Sequence, residues 1–152
     1  MIEVKNIKHS ASLSEETLAY TASVYFNGKK IADATNRGCG GMTFIHQTKG
    51  NLGTLREAEK YAETLPPYVS KFMPDDPLPM TLDSHVDDLV ARFLDERDWK
   101  RRCKTKTYFL LKGDDTNDGW RYVNRPYSET ILDWLVNKYG DQIDVIKNEE
   151  YI

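Results

Sequence analysis

The stretch TLAYTASVYFNGKKIADAT, Thr17 to Thr35, changes character at its middle. Leu18, Tyr20, Ala22, Val24 and Phe26 fall on one parity, while Thr17, Ala19, Thr21, Ser23 and Tyr25 fall on the other. A period of two is the mark of a half-buried strand. Asn27-Gly28 follows, the pair that best tolerates the positive φ angles of a two-residue hairpin turn, so Lys29 to Thr35 is expected to run back antiparallel. The reading is a β-hairpin over 17–35.

Beyond the hairpin comes Asn36-Arg37-Gly38-Cys39-Gly40-Gly41, and then MTFIHQT over 42–48, which alternates again and adds a third strand. Gly50 and Gly53 end it. Thr54 and Glu57 have the spacing of a capping box, and Leu55, Ala58, Ala62 and Leu65 follow at helical intervals, so a helix is expected over 54–65, stopped by Pro66-Pro67. Five of the six prolines lie between residues 66 and 79, which reads as a stiff crossover. A second helix is expected over 81–103. Leu82, Val86, Leu89, Val90 and Phe93 form its stripe, with Asp83, Asp87 and Asp88 early and Lys100, Arg101 and Arg102 late, in keeping with the helix dipole. Strands near 106–112 and 118–124 flank a turn at Asp114 to Gly119. Ser128 caps a third helix over 128–139, Gly140 supplies its left-handed stop, and a closing strand is placed at 143–147. Strands grouped with strands and helices with helices make the expected class α+β, with a mainly antiparallel sheet packed by three helices.

With 152 residues, 39% apolar and 30% charged, the chain reads as a single domain over 1–152 that can bury a core. A formal charge of −3 gives no global attraction to polyphosphate, so nucleic acid is not an expected partner. Cys39 and Cys103 are too few for a disulfide scaffold, and neither a leader nor a spanning apolar run is seen; a cytoplasmic, membrane-free protein is expected.

The glycine cluster admits two main readings. Backbone N–H groups of Gly38, Gly40 and Gly41 can converge on an anion, with Arg37 and His46 adding polar contacts, which would make a nucleotide- or phosphate-binding bend at 36–41. The cluster lacks the Lys-Ser/Thr ending of a P-loop and follows a hairpin, so the competing reading is a sharp structural bend. Cys39 and His46 do not make a complete nucleophile-and-base set, since no orienting third residue is identifiable. His46-Gln47-Thr48 has the His-x-Thr form of phosphoesterases that use two such histidines, but His9 and His85 do not repeat it. Cys39, His46, His85 and Cys103 lack the short pair spacing of a zinc site, and DDTNDG at 114–119 lacks the distal glutamate of a calcium loop. No catalytic residue, metal or cofactor is assigned.

Two surface stretches remain. RDWKRRCKTK, Arg97 to Lys106, holds six cations against one anion, readable as phosphate contacts around Trp99 or as a solvated helix end. In the C-terminal third, parity sets Arg121, Val123 and Arg125 opposite Trp120 and Tyr122, and helical angle sets Trp134 away from Leu132 and Val136. An interface patch of Arg121, Arg125 and Trp134 is therefore expected.

YFNGKKIADATNRGCGG and TYFLLKGDDTNDGWRYVNRPYSETILDWLVNKYG together resemble a loose group of small uncharacterised proteins of phages and mobile elements, over two stretches whose motifs are a glycine-rich bend and an aromatic hairpin leading into a Ser-capped helix. What the resemblance implies is a non-enzymatic accessory protein that acts by binding a host protein. The alternative is a phosphate-ligand binder at the bend.

Overall fold

The computed structural model describes residues 1–69 and 72–152; Ser70 and Lys71, inside the expected crossover at 66–79, lie outside the described residues. The class is α+β, with two antiparallel sheets and three α-helices among the described residues. The chain gathers into two compact units, Met1–Phe93 and Leu94–Ile152, and the seam falls within a helix instead of at the proline-rich stretch.

The first unit is a four-stranded meander, β1 (Ile2–Ser10), β2 (Ala19–Phe26), β3 (Lys29–Arg37) and β4 (Phe44–Gln47), in the spatial order β1-β2-β3-β4. The hairpin expected at 17–35 is β2 and β3. Phe26 pairs with Lys29 across a two-residue turn in which Asn27 (φ 49°) and Gly28 (φ 84°) both take positive φ, as a turn matched to strand twist requires. Tyr20, Ala22, Val24 and Phe26 are buried, as their parity predicts. The register shifts by one after Val24, where Ile31 stands without a cross-strand partner, so Ile31 and Ala32 are both fully buried although they are neighbours.

β1 was not expected from the sequence. Its ladder shifts between Lys5 and Lys8, with Asn6 in the left-handed region (φ 53°) and its side-chain amide donating to Ser23 Oγ at 3.5 Å. The bulge breaks the alternation that begins with Ile2 and Val4, which hides the strand from a period-two reading.

Two helices follow in this unit: α1 (Leu52–Glu63), and α2 (Leu82–Arg102), which continues into the second unit. Leu55, Ala58 and Ala62 of α1 and Leu82, Val86 and Val90 of α2 are buried, while Phe93 is 44% exposed despite its place on the expected stripe. The capping box expected at Thr54 is not made. α1 starts at Leu52, and its N-cap position falls three residues before Thr54, at an Asn51 whose side chain donates to Thr48 Oγ1 (2.6 Å) and Lys30 O (3.4 Å) instead of capping the helix.

The second unit holds the end of α2, then β5 (Thr107–Leu111), β6 (Arg121–Val123), α3 (Glu129–Tyr139) and β7 (Ile143–Ile146), with strand order β6-β5-β7. Phe109, Leu111, Leu135 and Ile146 form its buried core, closed by Val123, Tyr127, Ile131, Leu132, Tyr139 and Ile143. Val136, which helical angle sets with Leu132 and away from Trp134, is half exposed at 50%. Tyr108, on the opposite side of β5 from Phe109, meets Trp99 edge-on at 5.2 Å, and Trp99 meets Trp120 at 5.4 Å. Ser128 caps α3 by accepting from Ile131 N–H, and Gly140 ends it with φ 54°.

Candidate functional site

The glycine bend is built to hold two chain segments together. Gly38 is buried with φ 84°; its N–H donates to Asn36 Oδ1 at 2.8 Å, and its carbonyl accepts from Glu15 and Glu16 N–H, both at 3.0 Å. A Cβ on Gly38 would stand 2.2 Å from Leu13 O, which forbids any other residue without a backbone shift. Gly40 N–H is directed to Thr17 Oγ1 at 3.4 Å, and Gly41 O accepts from Asn36 Nδ2 at 3.2 Å. Two of the three amides that an anion would need, those of Gly38 and Gly40, are thus turned to neutral oxygens of the protein, with the Glu16 carboxylate beside Gly40. Arg37 is exposed on the same sheet face as Asp33 and His46, while His46 pairs across the ladder with Asp33 and stacks on Phe44 at 6.3 Å. Cys39 is exposed, its thiol toward the Arg37 carbonyl at 3.8 Å. The bend gathers Gly38, Gly40 and Gly41; His46 lies four ladder positions from Arg37, about 13 Å along the strand.

Behind the bend lies a polar network that no short motif announces. Tyr20 Oη donates to Asp87 Oδ1 at 2.6 Å, and Thr43 Oγ1 donates to the same oxygen. Asn36 Nδ2 donates to Thr43 Oγ1 at 3.0 Å, and Thr17 Oγ1 donates to Asn36 Oδ1 at 2.9 Å. Burial, and then the bond to Asp87, push the Tyr20 phenol far above its ordinary value. The network ties α2 to β2 and to the chain entering β4. It borders a cleft of about 370 Å³ lined by Thr17, Asn36, Tyr68, Ser84, Asp87 and Asp88.

β4 is held by that anchor at Thr43 and by β3, with which it pairs from Thr35↔Phe44 to Ala32↔Gln47. Thr48 N–H donates to Ile31 O at 2.9 Å. By the alternation of an antiparallel ladder, Phe44 and His46 then turn their backbone groups to β3, and Ile45 and Gln47 turn theirs to the open side. Phe44 is 56% exposed and Met42 66%. A second groove of about 370 Å³ runs beside this edge, walled by Met42 to Ile45 on one side and by Glu59, Glu63, Thr81, Leu82 and Asp83 on the other. Glu59, Glu63 and Asp83 form no ion pair with any described residue. From Phe72 to Ala91 the chain carries five aspartates and no Lys or Arg. Burial lowers the His85 pKa, against the opposing pull of Asp88, so this helix segment gains no cation near neutral pH.

Among the described residues the two sheets have four edge strands, β1, β4, β6 and β7. β1 carries Glu3, Lys5, Lys8 and a bulge, β6 carries Arg121, and β7 carries Asp144. Those are the devices that blunt an edge against further pairing. β4, Phe-Ile-His-Gln, has none of them.

The expected patch of Arg121, Arg125 and Trp134 is exposed at each residue but engaged locally. Arg121 holds Asp114 through Nε–Oδ2 at 2.7 Å and Nη2–Oδ1 at 3.2 Å, and Trp134 lies under Lys138 Nζ at 4.8 Å. Among the described residues no hydrogen bond, ion pair or cation–π contact joins the three. In the basic block, Lys100 pairs with Glu96 at 2.6 Å, and Arg101 and Arg102 both pair with Asp98. Trp99 is half-buried, with the Arg102 guanidinium 5.4 Å and Lys147 Nζ 5.3 Å from its ring centre. No helix among the described residues is long and apolar enough to cross a membrane, and no group of three or more His, Cys, Asp or Glu among them could hold a metal ion.

Compared with known proteins, the chain matches no family model, no curated protein and no solved structure.

Proposed function

We propose that the chain is a non-enzymatic accessory protein that binds another protein by adding one of its partner's extended segments to the edge of β4. In the setting that the resemblance to phage proteins implies, that partner belongs to the host. The observation that carries the reading is the edge itself: among the described edge strands, β4 alone lacks a charge or a bulge, and it presents the outward backbone groups of Ile45 and Gln47 next to an exposed Phe44. Strand addition draws its affinity from such backbone groups and its selectivity from the side-chain surroundings.

Gln47→Pro tests the reading. Proline removes the outward N–H of Gln47 and fills the open side, while the ladder to β3 uses the backbone groups of Phe44 and His46. Affinity capture with the wild-type chain, with Gln47→Pro and with Gln47→Ala is expected to retain a partner in the first and third cases and to lose it in the second. Hydrogen exchange at Ile45 and Gln47 should slow when the partner is bound. Equal capture by all three chains would sink the strand-addition reading.

A further inference from the structure

The groove beside β4 has a chemical bias that the free edge alone does not. On its far wall stand Glu59 and Glu63 of α1 and Asp83 of α2, none paired with a described cation, and among the described residues no Lys, Arg or His lines it. The near wall is apolar, through Met42, Phe44 and Ile45. In an added strand, successive side chains point to opposite faces of the sheet. One parity, that of Thr43 and Ile45, would extend toward the groove wall formed by α1 and α2 and would meet the three carboxylates. The other parity would continue the outer row begun by Phe44 and His46, which stack on each other.

We infer that the segment received by β4 is a cationic extended peptide, with Lys or Arg at every second position and apolar residues between them. This rests on the strand-edge reading above and adds the identity of the side chains. The negative field of these three carboxylates steers a basic segment toward the groove over about 10 Å at moderate salt and repels an acidic one.

The test uses the full chain and two blocked synthetic hexapeptides, acetyl-Lys-Val-Lys-Val-Lys-Val-amide and acetyl-Glu-Val-Glu-Val-Glu-Val-amide, titrated by calorimetry at low and at high salt. The expected result is that the Lys-Val peptide binds at least about tenfold more tightly at low salt, a difference that charge pairing at a partly desolvated groove readily supplies, and that the preference shrinks as salt rises. The double variant Glu59→Lys, Glu63→Lys should reverse the preference. Backbone N-methylation of the Lys-Val peptide should abolish binding, which checks the strand edge without altering the protein. Equal binding of both unmethylated peptides, lost on methylation, would overturn the cationic inference and leave the edge reading standing. Binding of the methylated peptide as tightly as its parent would overturn the edge reading and with it this one. Failure of both peptides to bind, or a dimer in sedimentation that Gln47→Pro dissolves, would overturn the cationic occupant, the latter in favour of a second copy of the chain.

Discussion

Gly38 shows how much one residue type can carry. Its positive φ and the 2.2 Å that would separate a Cβ from Leu13 O act together, because strain cannot be relieved by moving the backbone without losing the Glu15, Glu16 and Thr17 amides gathered around its carbonyl. Gly38→Ala should therefore cost at least about 2 kcal/mol in urea unfolding. Gly41, two residues from Cys39 in the same cluster, has open space where a Cβ would stand and no positive φ, so Gly41→Ala should fall within about 0.5 kcal/mol of wild type. Equal effects at the two positions would contradict the structural account of the bend. The sequence announced that the cluster turns the chain, but it did not distinguish these glycines, since their difference lies in Leu13, a residue 25 positions away from Gly38. The same holds for Asp87. Its place beside Val86 at the head of α2 fitted a helix-dipole role, and its bonds to Tyr20 and Thr43 span 67 and 44 residues that no local pattern connects.

Local chemistry fixed most elements, and its failures have physical causes. Asn27-Gly28 specified the hairpin because only a turn with two positive φ angles matches the strand twist. Ser128 capped α3 as expected, whereas Thr54 did not cap α1, because Asn51, bonded to Thr48, takes the cap position three residues earlier. A matched pair of variants reads this contrast. Ser128→Ala should lower stability by about 1 kcal/mol, and Thr54→Ala by less than about 0.5, in the same denaturant titration. A larger loss at Thr54 would restore the capping box. β6 is shorter than the strand expected at 118–124 because Thr116–Asp118 forms a turn of 3-10 helix, with Asp115 accepting from Asn117 N–H at 2.9 Å. The candidate site was legible only in part. MTFIHQT read as a strand, but whether a strand is central or at an edge depends on the order of strands in space, and the acids that wall its groove come from two helices separated by the proline-rich stretch.

At the scale of the whole molecule, the buried phenol of Tyr20 couples stability to alkaline pH. Its folded-state pKa is raised, first by burial and then by the bond to Asp87, so its stabilising contribution is complete below the unfolded value of about 10 and is lost as pH climbs from there toward the folded value. Tyr20→Phe should cost about 1–2 kcal/mol near neutral pH. That deficit should shrink as the pH passes about 10, because only the wild type must then hold a proton that its unfolded chain would release; thermal melts of both chains from pH 7 to 11 measure it. A deficit that stays constant over this range would show that the phenol does not titrate with unfolding. The meander also has a consequence in time. Closing the two-residue loop at Asn27-Gly28 carries little entropic cost, and hairpins of this kind form in about 1–10 μs. The unpartnered Ile31 then lets β2 and β3 lock in one alignment, since a slipped pairing would bring that side chain out of the core. The first sheet is thus expected to grow from its middle outward, each flanking strand adding to a neighbour adjacent in sequence, so that it forms quickly and β4 arrives on a template already in register.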